Sequence, residues 1–261
     1  MAFVAGVFGS MLGVGGGVIM VPMLTLAFGV PIKTAIATSI VCVIATSSMA
    51  QTSFVSKGMS NVRLGMLLEV ATTVGAVAGG VTAVLIDGRV LQGCFAAVLV
   101  YVAWQMNRRG GDLFPSRGGV LEGAYFDPRL GREVRYGVRR LRLGFVLSLG
   151  AGNVSGLLGV GGGAFKVPIM NLLMGVPLKA TIATSNLMIG VTAATGAAIF
   201  YGRGHMDPYW AVPSALGILA GARLGPRFAV RLPARLLRRV FQAVLVVFAV
   251  FMTLAAAGVG P

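Results

Sequence analysis

Leu12-Gly13-Val14-Gly15-Gly16-Gly17, followed by Val21-Pro22, Gly29-Val30-Pro31, Lys33 and Ile36-Ala37-Thr38-Ser39, occurs twice in this chain. The second copy reads Leu158-Gly159-Val160-Gly161-Gly162-Gly163, Val167-Pro168, Gly175-Val176-Pro177, Lys179 and Ile182-Ala183-Thr184-Ser185, at a constant offset of 146 residues. The offset continues without a gap through Gly58 and Gly204, Gly75 and Gly221, and Gly79 and Gly225. The chain is therefore two copies of one unit. The period is too long for a solenoid or a propeller, and duplication within an apolar chain is a property of secondary transporters.

Hydrophobic residues make up 56% of the chain and charged residues 11%, with a mean hydropathy of +0.88. A soluble domain carries about 25% charged residues, so this chain has too little charge to cover a water-facing surface and reads as an integral membrane protein. Its apolar runs, roughly 18–28 residues long, suit helices rather than barrel strands. The net charge of +15 does not imply nucleic acid, because the basic residues sit between apolar runs without interleaved aromatics; membrane topology explains them better. Cys42 and Cys94 lie inside apolar runs with no CxxC or nearby His, so neither a disulfide framework nor a metal site is expected. No cofactor is implied. The N-terminus has no basic region ahead of its apolar run, and no cleaved signal peptide is expected.

Residues 2–30 form a long apolar segment broken at the three glycines, and residues 34–56, 64–86 and 90–106 read as three spanning helices. Residues 1–106 are thus the first repeat. Residues 107–142, with nine Lys/Arg and four of the seven acidic residues, read as a solvent-exposed basic loop between the copies. The second repeat, 143–261, has its broken segment at 143–176 and its spans at 180–202, 208–226 and 240–257.

Positive charge decides whether a broken segment crosses the membrane or doubles back. The basic 107–142 loop is taken as cytoplasmic. If each broken segment crosses once, Lys57, Arg63 and Arg203 fall inside, while Lys33, Arg89, Lys179 and the six arginines of 223–239 fall outside, 3 against 9. If each doubles back, the ratio becomes 9 against 3, with only Lys33, Arg89 and Arg203 outside. The second arrangement obeys the rule. Each half, such as 2–14 or 17–28, also spans only about 20 Å at 1.5 Å per residue, short of a hydrocarbon core of about 30 Å. The expected fold is an all-α polytopic membrane protein of two inverted repeats. Each repeat is a re-entrant helical hairpin broken at Gly-Gly-Gly plus three transmembrane helices, and both tips are expected near the midplane.

A break at that depth is costly unless it lines a polar cavity. The half-helix after the glycines begins with unpaired N–H groups at its positive end, which favours an anion, and glycine lets that anion approach the backbone. Gly15, Gly16, Gly17, Gly161, Gly162 and Gly163 are the expected contacts. Tight helix packing is the alternative use of such glycines. Thr38 and Ser39, with Thr184, Ser185 and Asn186, follow in the first turns of the next helix and could add donors, although their position suits an access path better than the centre. Lys166, three residues beyond Gly163, belongs deep in the bilayer, and its counterpart in the first copy is Met20. Such a lysine is a functional candidate by default, for anion binding or for titration. Glu69 is the carboxylate well within a span and the candidate for carrying a coupling proton, with a pairing to Arg63 as the competing reading. His205, between Arg203 and Asp207, reads as a loop residue. No nucleophile with a base and no metal cluster supports an enzyme.

The twin Leu-Gly-Val-Gly-Gly-Gly…Val-Pro…Gly-Val-Pro…Ala-Thr-Ser pattern resembles the TauE/SafE family of membrane permeases over nearly the whole chain. Two features depart from a typical member: residue 1 stands almost within the first half-helix, and Lys166 occupies a commonly apolar position. The resemblance implies export of sulfite, sulfoacetate or other organosulfonates across a bacterial cytoplasmic (inner) membrane. The expected partners are a small sulfur oxyanion or organosulfonate, the lipid bilayer and, as an option, a second copy in a homodimer. A passive anion channel, or a thiosulfate carrier using Cys42, is the competing expectation on the same scaffold.

Overall fold

The computed structural model describes residues 2–12, 15–55, 58–107, 121–127, 131–231 and 234–257, and side chains except for a few positions and most of 225–241. Gly13, Val14, Lys57, much of the 107–142 linker and the arginine side chains beyond Arg223 lie outside that description. Among the described residues, ten helices and one two-stranded sheet follow in the order α1 (Ala2–Leu12), α2 (Gly17–Phe28), α3 (Ile32–Val55), α4 (Val62–Leu85), α5 (Gly88–Asn107), β1 (Leu121–Asp127), β2 (Arg132–Val138), α6 (Leu141–Leu158), α7 (Gly163–Pro168), α8 (Leu178–Gly202), α9 (Pro208–Arg231) and α10 (Ala234–Ala256). A π-helical turn, Ile169–Leu173, continues α7. Both broken segments break at the glycines.

The duplication in sequence is repeated in contacts. Helix α6 of the second copy packs along α4 of the first, and α1 packs along α9 in the corresponding way. A Cβ on Gly75 would run into the carbonyl of Leu149, and one on Gly221 into that of Phe3. A Cβ on Gly152 would strike Thr72, and one on Gly6 would strike Ile218. Every one of these residues is the 146-residue counterpart of another in the set. The pairings of α3 with α8 and of α5 with α10 are each between counterparts, and that of α4 with α8 mirrors that of α3 with α9. Such reciprocal pairing is what a two-fold relation between the repeats produces. Small residues at the crossings let the backbones approach closely, which is how apolar helices associate where no hydrophobic effect drives them together.

The second broken segment doubles back. The Arg139 amide, just before α6, donates to the Met174 carbonyl beyond α7 at 3.0 Å, so the chain returns to the level from which it started. Helix lengths depart from expectation in one respect. Four described helices, α3, α4, α6 and α8, are long and apolar enough to cross a membrane. Helix α6, read as a half-helix, is among them with 18 residues, whereas α5 is not. Helix α9 carries Arg223, Arg227 and Arg231 towards its end, the described part of α10, Gln242–Ala256, is apolar, and the side chains of 225–241 in these two helices lie outside the description.

The linker is also not simply an exposed loop. β1 and β2 pair antiparallel, with Tyr125 opposite Val134 and Gly123 opposite Tyr136. Tyr125, Val134, Tyr136 and Val138 are buried on one face of this hairpin, against Leu64, Leu68, Met170, Met174, Val176 and Met188. Tyr136 Oη accepts a hydrogen bond from Asn61 Nδ2 at 3.3 Å. Burial pushes the Tyr136 phenol above its ordinary pKa, and the Asn61 contact offsets this only in part. The linker thus seats an apolar cap on the helix ends around Asn61 and Val176. An isolated two-stranded hairpin is barely stable in water, so the docked face holds it.

Gly75→Leu and Gly221→Leu should each destabilise the purified protein by about 1–3 kcal/mol through overpacking, read as a lowered melting temperature in detergent. Gly150→Ala, where a new Cβ meets nothing within 4 Å, should leave that temperature unchanged or raise it slightly.

Candidate functional site

Both glycine tips arrive at the middle of helices α3 and α8. A Cβ built on Gly15 would stand 3.1 Å from Val43 and 3.4 Å from Ile189; one on Gly161 would stand 2.6 Å and 2.9 Å from the same two side chains. Val43 and Ile189 are themselves counterparts and lie near the midpoints of α3 and α8. The tips touch as well, since a Cβ on Gly17 would come within 2.6 Å of the Gly159 carbonyl. Only glycine suits these turns. Gly15 and Gly16 hold φ of 81° and 75°, and Gly161 and Gly162 hold 76° and 71°, a left-handed region costly for other residues. Gly16 and Gly162 cap α2 and α7, whose first hydrogen bonds begin only at Ile19 and Phe165. Gly17 and Gly163 therefore present their amides ahead of the ladder.

The hydroxyl residues lie deeper than their sequence position suggests. Ser39 Oγ donates to the Gly159 carbonyl at 3.0 Å, so it stands at the tips and not on the outer path, because the tips come down onto the N-terminal half of α3. Thr184 Oγ1 accepts from the Asn61 amide at 2.9 Å and stands at the hairpin-capped end. Ser47 Oγ donates to the Asn186 carbonyl. Thr38 Oγ1, Ser185 Oγ and Asn186 Oδ1 are buried without a hydrogen-bond partner. Buried orphan acceptors and hydroxyls are uncommon in a finished core and mark places where water or a ligand can bind.

Lys166 is 1% exposed and Glu69 7%, and Lys166 Nζ lies 3.3 Å from Glu69 Oε2. The lysine also donates to Thr192 Oγ1 at 2.7 Å. Thr192 Oγ1 in turn donates to Glu69 Oε1 at 2.6 Å, and Thr72 Oγ1 donates to Glu69 Oε2 at 2.8 Å. The partner of Glu69 is therefore Lys166 and not Arg63, which is exposed near the start of α4. The reason is the reach of α7, which turns back from the glycines and lays its first turn against α8 while α6 packs on α4. Two charges taken out of water this way must be paired and hydrogen-bonded to persist. The network joins the two copies and has no two-fold-related twin: the counterparts of Lys166 and Glu69 are Met20 and Ala215. Thr192 and Thr72 escaped the sequence reading, since a mid-helix threonine ordinarily bonds back to its own helix.

A separate, open depression of about 630 Å3 lies at the opposite helix ends, lined by Pro31, Lys33, Asp87, Arg89, Gln92, His205 and Ala255. Lys33 Nζ donates there to the Val84 carbonyl at 2.7 Å, near the end of α4. His205 is on this mouth and distant from the ion pair. Cys42 is buried and Cys94 half-buried, both as free thiols, and no cluster of metal-binding side chains occurs among the described residues.

The family described as "Sulfite exporter TauE/SafE" matches residues 1–252. Among curated proteins, the chain is 23% identical to the "Probable membrane transporter protein YunE" of Bacillus subtilis (strain 168), over 94% of this chain and 92% of the relative. It is 24% identical to the "Probable membrane transporter protein MJ0441" of Methanocaldococcus jannaschii, over 97% and 93%. It is 27% identical to the "Probable membrane transporter protein ORF9" of a Sinorhizobium species, over 95% and 88%. No solved structure matches.

Glu69→Ala alone strands a buried lysine and should cost about 3–5 kcal/mol of stability. The double variant Glu69→Ala/Lys166→Met, which installs the residues of the two-fold-related positions Ala215 and Met20, should recover most of that loss in the same thermal measurement.

Proposed function

The chain belongs to the sulfite exporter TauE/SafE family, and on that premise we propose that it is a secondary transporter exporting sulfite or small organosulfonate anions. The carrying observation is the convergence of both glycine tips on Val43 and Ile189, with the family's description supplying the substrate class. The anion sits between the two half-helix N-termini, where Gly16, Gly17, Gly161, Gly162 and Gly163 offer backbone N–H groups and partial positive charge, while Gly15, whose own N–H is taken by the Gly9 carbonyl at 3.4 Å, shapes the turn. Lys166 adds the full charge that a sulfur oxyanion needs in a dry site. Ser39 reaches the tips directly, and the partnerless oxygens of Thr38, Ser185 and Asn186 belong to the polar path leading to them.

The repeats are inverted in a bacterial cytoplasmic membrane, with the 107–142 linker inside. That orientation places Lys33, Arg89 and His205 at the outer mouth, and it places the linker hairpin on the cytoplasmic mouth. The charge balance of the loops supports it. Alternating access then amounts to opening one mouth while the other stays packed around the fixed tips. The chemistry is binding and translocation; no covalent step on the anion is required.

Purified protein in proteoliposomes should take up radiolabelled sulfite, with uptake competed by sulfoacetate or taurine and accelerated by a pH gradient. Lys166→Met should reduce the flux by at least about tenfold, the equivalent of roughly 1.4 kcal/mol of binding or barrier. Flux indifferent to the gradient and blocked by chloride would identify a channel. An inert protein with all these anions would refute the substrate assignment.

A further inference from the structure

Resting on that transport reading, we infer that Glu69 is the built-in occupant of the Lys166 anion site, and that a substrate anion replaces it only when Glu69 takes up a proton. The geometry supplies both ends of the exchange. In the state described here the lysine ammonium is already neutralised by a carboxylate at 3.3 Å. Of its three N–H donors, one serves Thr192 and one serves Glu69, which leaves a donor uncommitted. A second anion cannot join this pair as it stands, because two negative groups would then share one buried positive charge.

The hydroxyls around Glu69 show how the carboxylate can become neutral without stranding its neighbours. Thr192 Oγ1 donates to Glu69 Oε1 but also lies 3.1 Å from the Met188 carbonyl. Thr72 Oγ1 donates to Glu69 Oε2 and also lies 3.1 Å from the Glu69 carbonyl. Each hydroxyl has one proton and two acceptors. When Glu69 is charged, both protons point at the carboxylate; when it is protonated, both swing to the helix backbone, and the hydroxyl oxygens are free to accept from the new carboxyl O–H. Among the described residues, α4, α6, α7 and α8 bring no other charged side chain to this network. The neighbouring polar groups are Thr73, 3.4 Å from Glu69 Oε1, and the buried Ser155. The pair therefore has no third charge to settle its balance.

The step is written with its charges closed. A monovalent oxyanion and one proton enter; the proton binds Glu69, the Lys166–Glu69 bond opens, and the anion bonds to Lys166. The site holds the same net charge before and after. Anion and proton then cross together in a ratio of one to one, so export runs down the anion's own gradient, an inward proton gradient opposes it, and a membrane potential alone does not drive the cycle. The two-fold-related positions are Met20 in the first copy and Ala215 in the second, so only the second tip performs the exchange.

The test is the proton-to-anion ratio in proteoliposomes, from radiolabelled sulfite uptake and an entrapped pH indicator, with sulfoacetate as a second probe. Wild type should move one proton per bisulfite or per singly charged sulfonate. Glu69→Gln, neutral at every pH, should still exchange labelled for unlabelled sulfite while losing acceleration by the pH gradient. Glu69→Asp, which keeps a titrating carboxyl, should retain the gradient response. A Glu69→Gln protein that still concentrates sulfite on a pH gradient would overturn the inference and leave the transport reading standing. Wild-type flux without proton movement would do the same. A wild type that moves neither probe would overturn both.

Discussion

The structure depends on one constraint: a peptide backbone broken in the middle of an apolar layer must have its polar groups satisfied there. Four half-helix ends meet at the centre of this protein, and water cannot satisfy them all. The two tips answer by leaning on each other and on α3 and α8. Ser39 donates to the Gly159 carbonyl, glycines take the left-handed turns, and the backbones close to within a Cβ of contact. The close crossings of α4 with α6 and of α1 with α9 then follow, because the first half-helix of each segment reaches the centre packed tightly against the other copy's span.

The same constraint explains why the charged pair is tolerated. An unpaired Lys166 at this depth would be expelled or neutralised. Glu69, supplied by the first copy, meets it across the interface between repeats, and Thr72 and Thr192 complete the shell. The pair thus links the two copies at their interface, where the alternating-access movement proposed above would act. A buried ion pair contributes little to stability by itself, whereas breaking it is expensive; that asymmetry suits a group whose partner is exchanged and never simply removed.

Much of this was legible in the sequence. The 146-residue offset located both breaks, both proline-bearing half-helices and all the main spans, since glycine and proline punctuate helices whatever packs around them. Charge counting and the length of the half-helices both favoured the doubling back that the Arg139–Met174 bond displays for the second segment, although α6 is longer than the half-helix expected. Three features were less legible. The Lys166–Glu69 pair joins residues 97 positions apart, and only the packing of α6 and α7 determines that they meet. The π-helical turn at Ile169–Leu173 has no sequence signal separating it from the regular helix that the first copy makes over the same motif. The linker hairpin did leave a trace, the alternation of Val134, Tyr136 and Val138 with polar residues or glycine beyond the Gly131 turn, but the surrounding basic charge masked it as a loop.

A crystal structure of the protein with bound sulfite tests the central claim most directly. The account predicts an anion in hydrogen-bond contact with Lys166 Nζ and the amides at the glycine tips, with Glu69 turned away from the lysine. An anion bound elsewhere, with the Lys166–Glu69 contact unbroken, would contradict it.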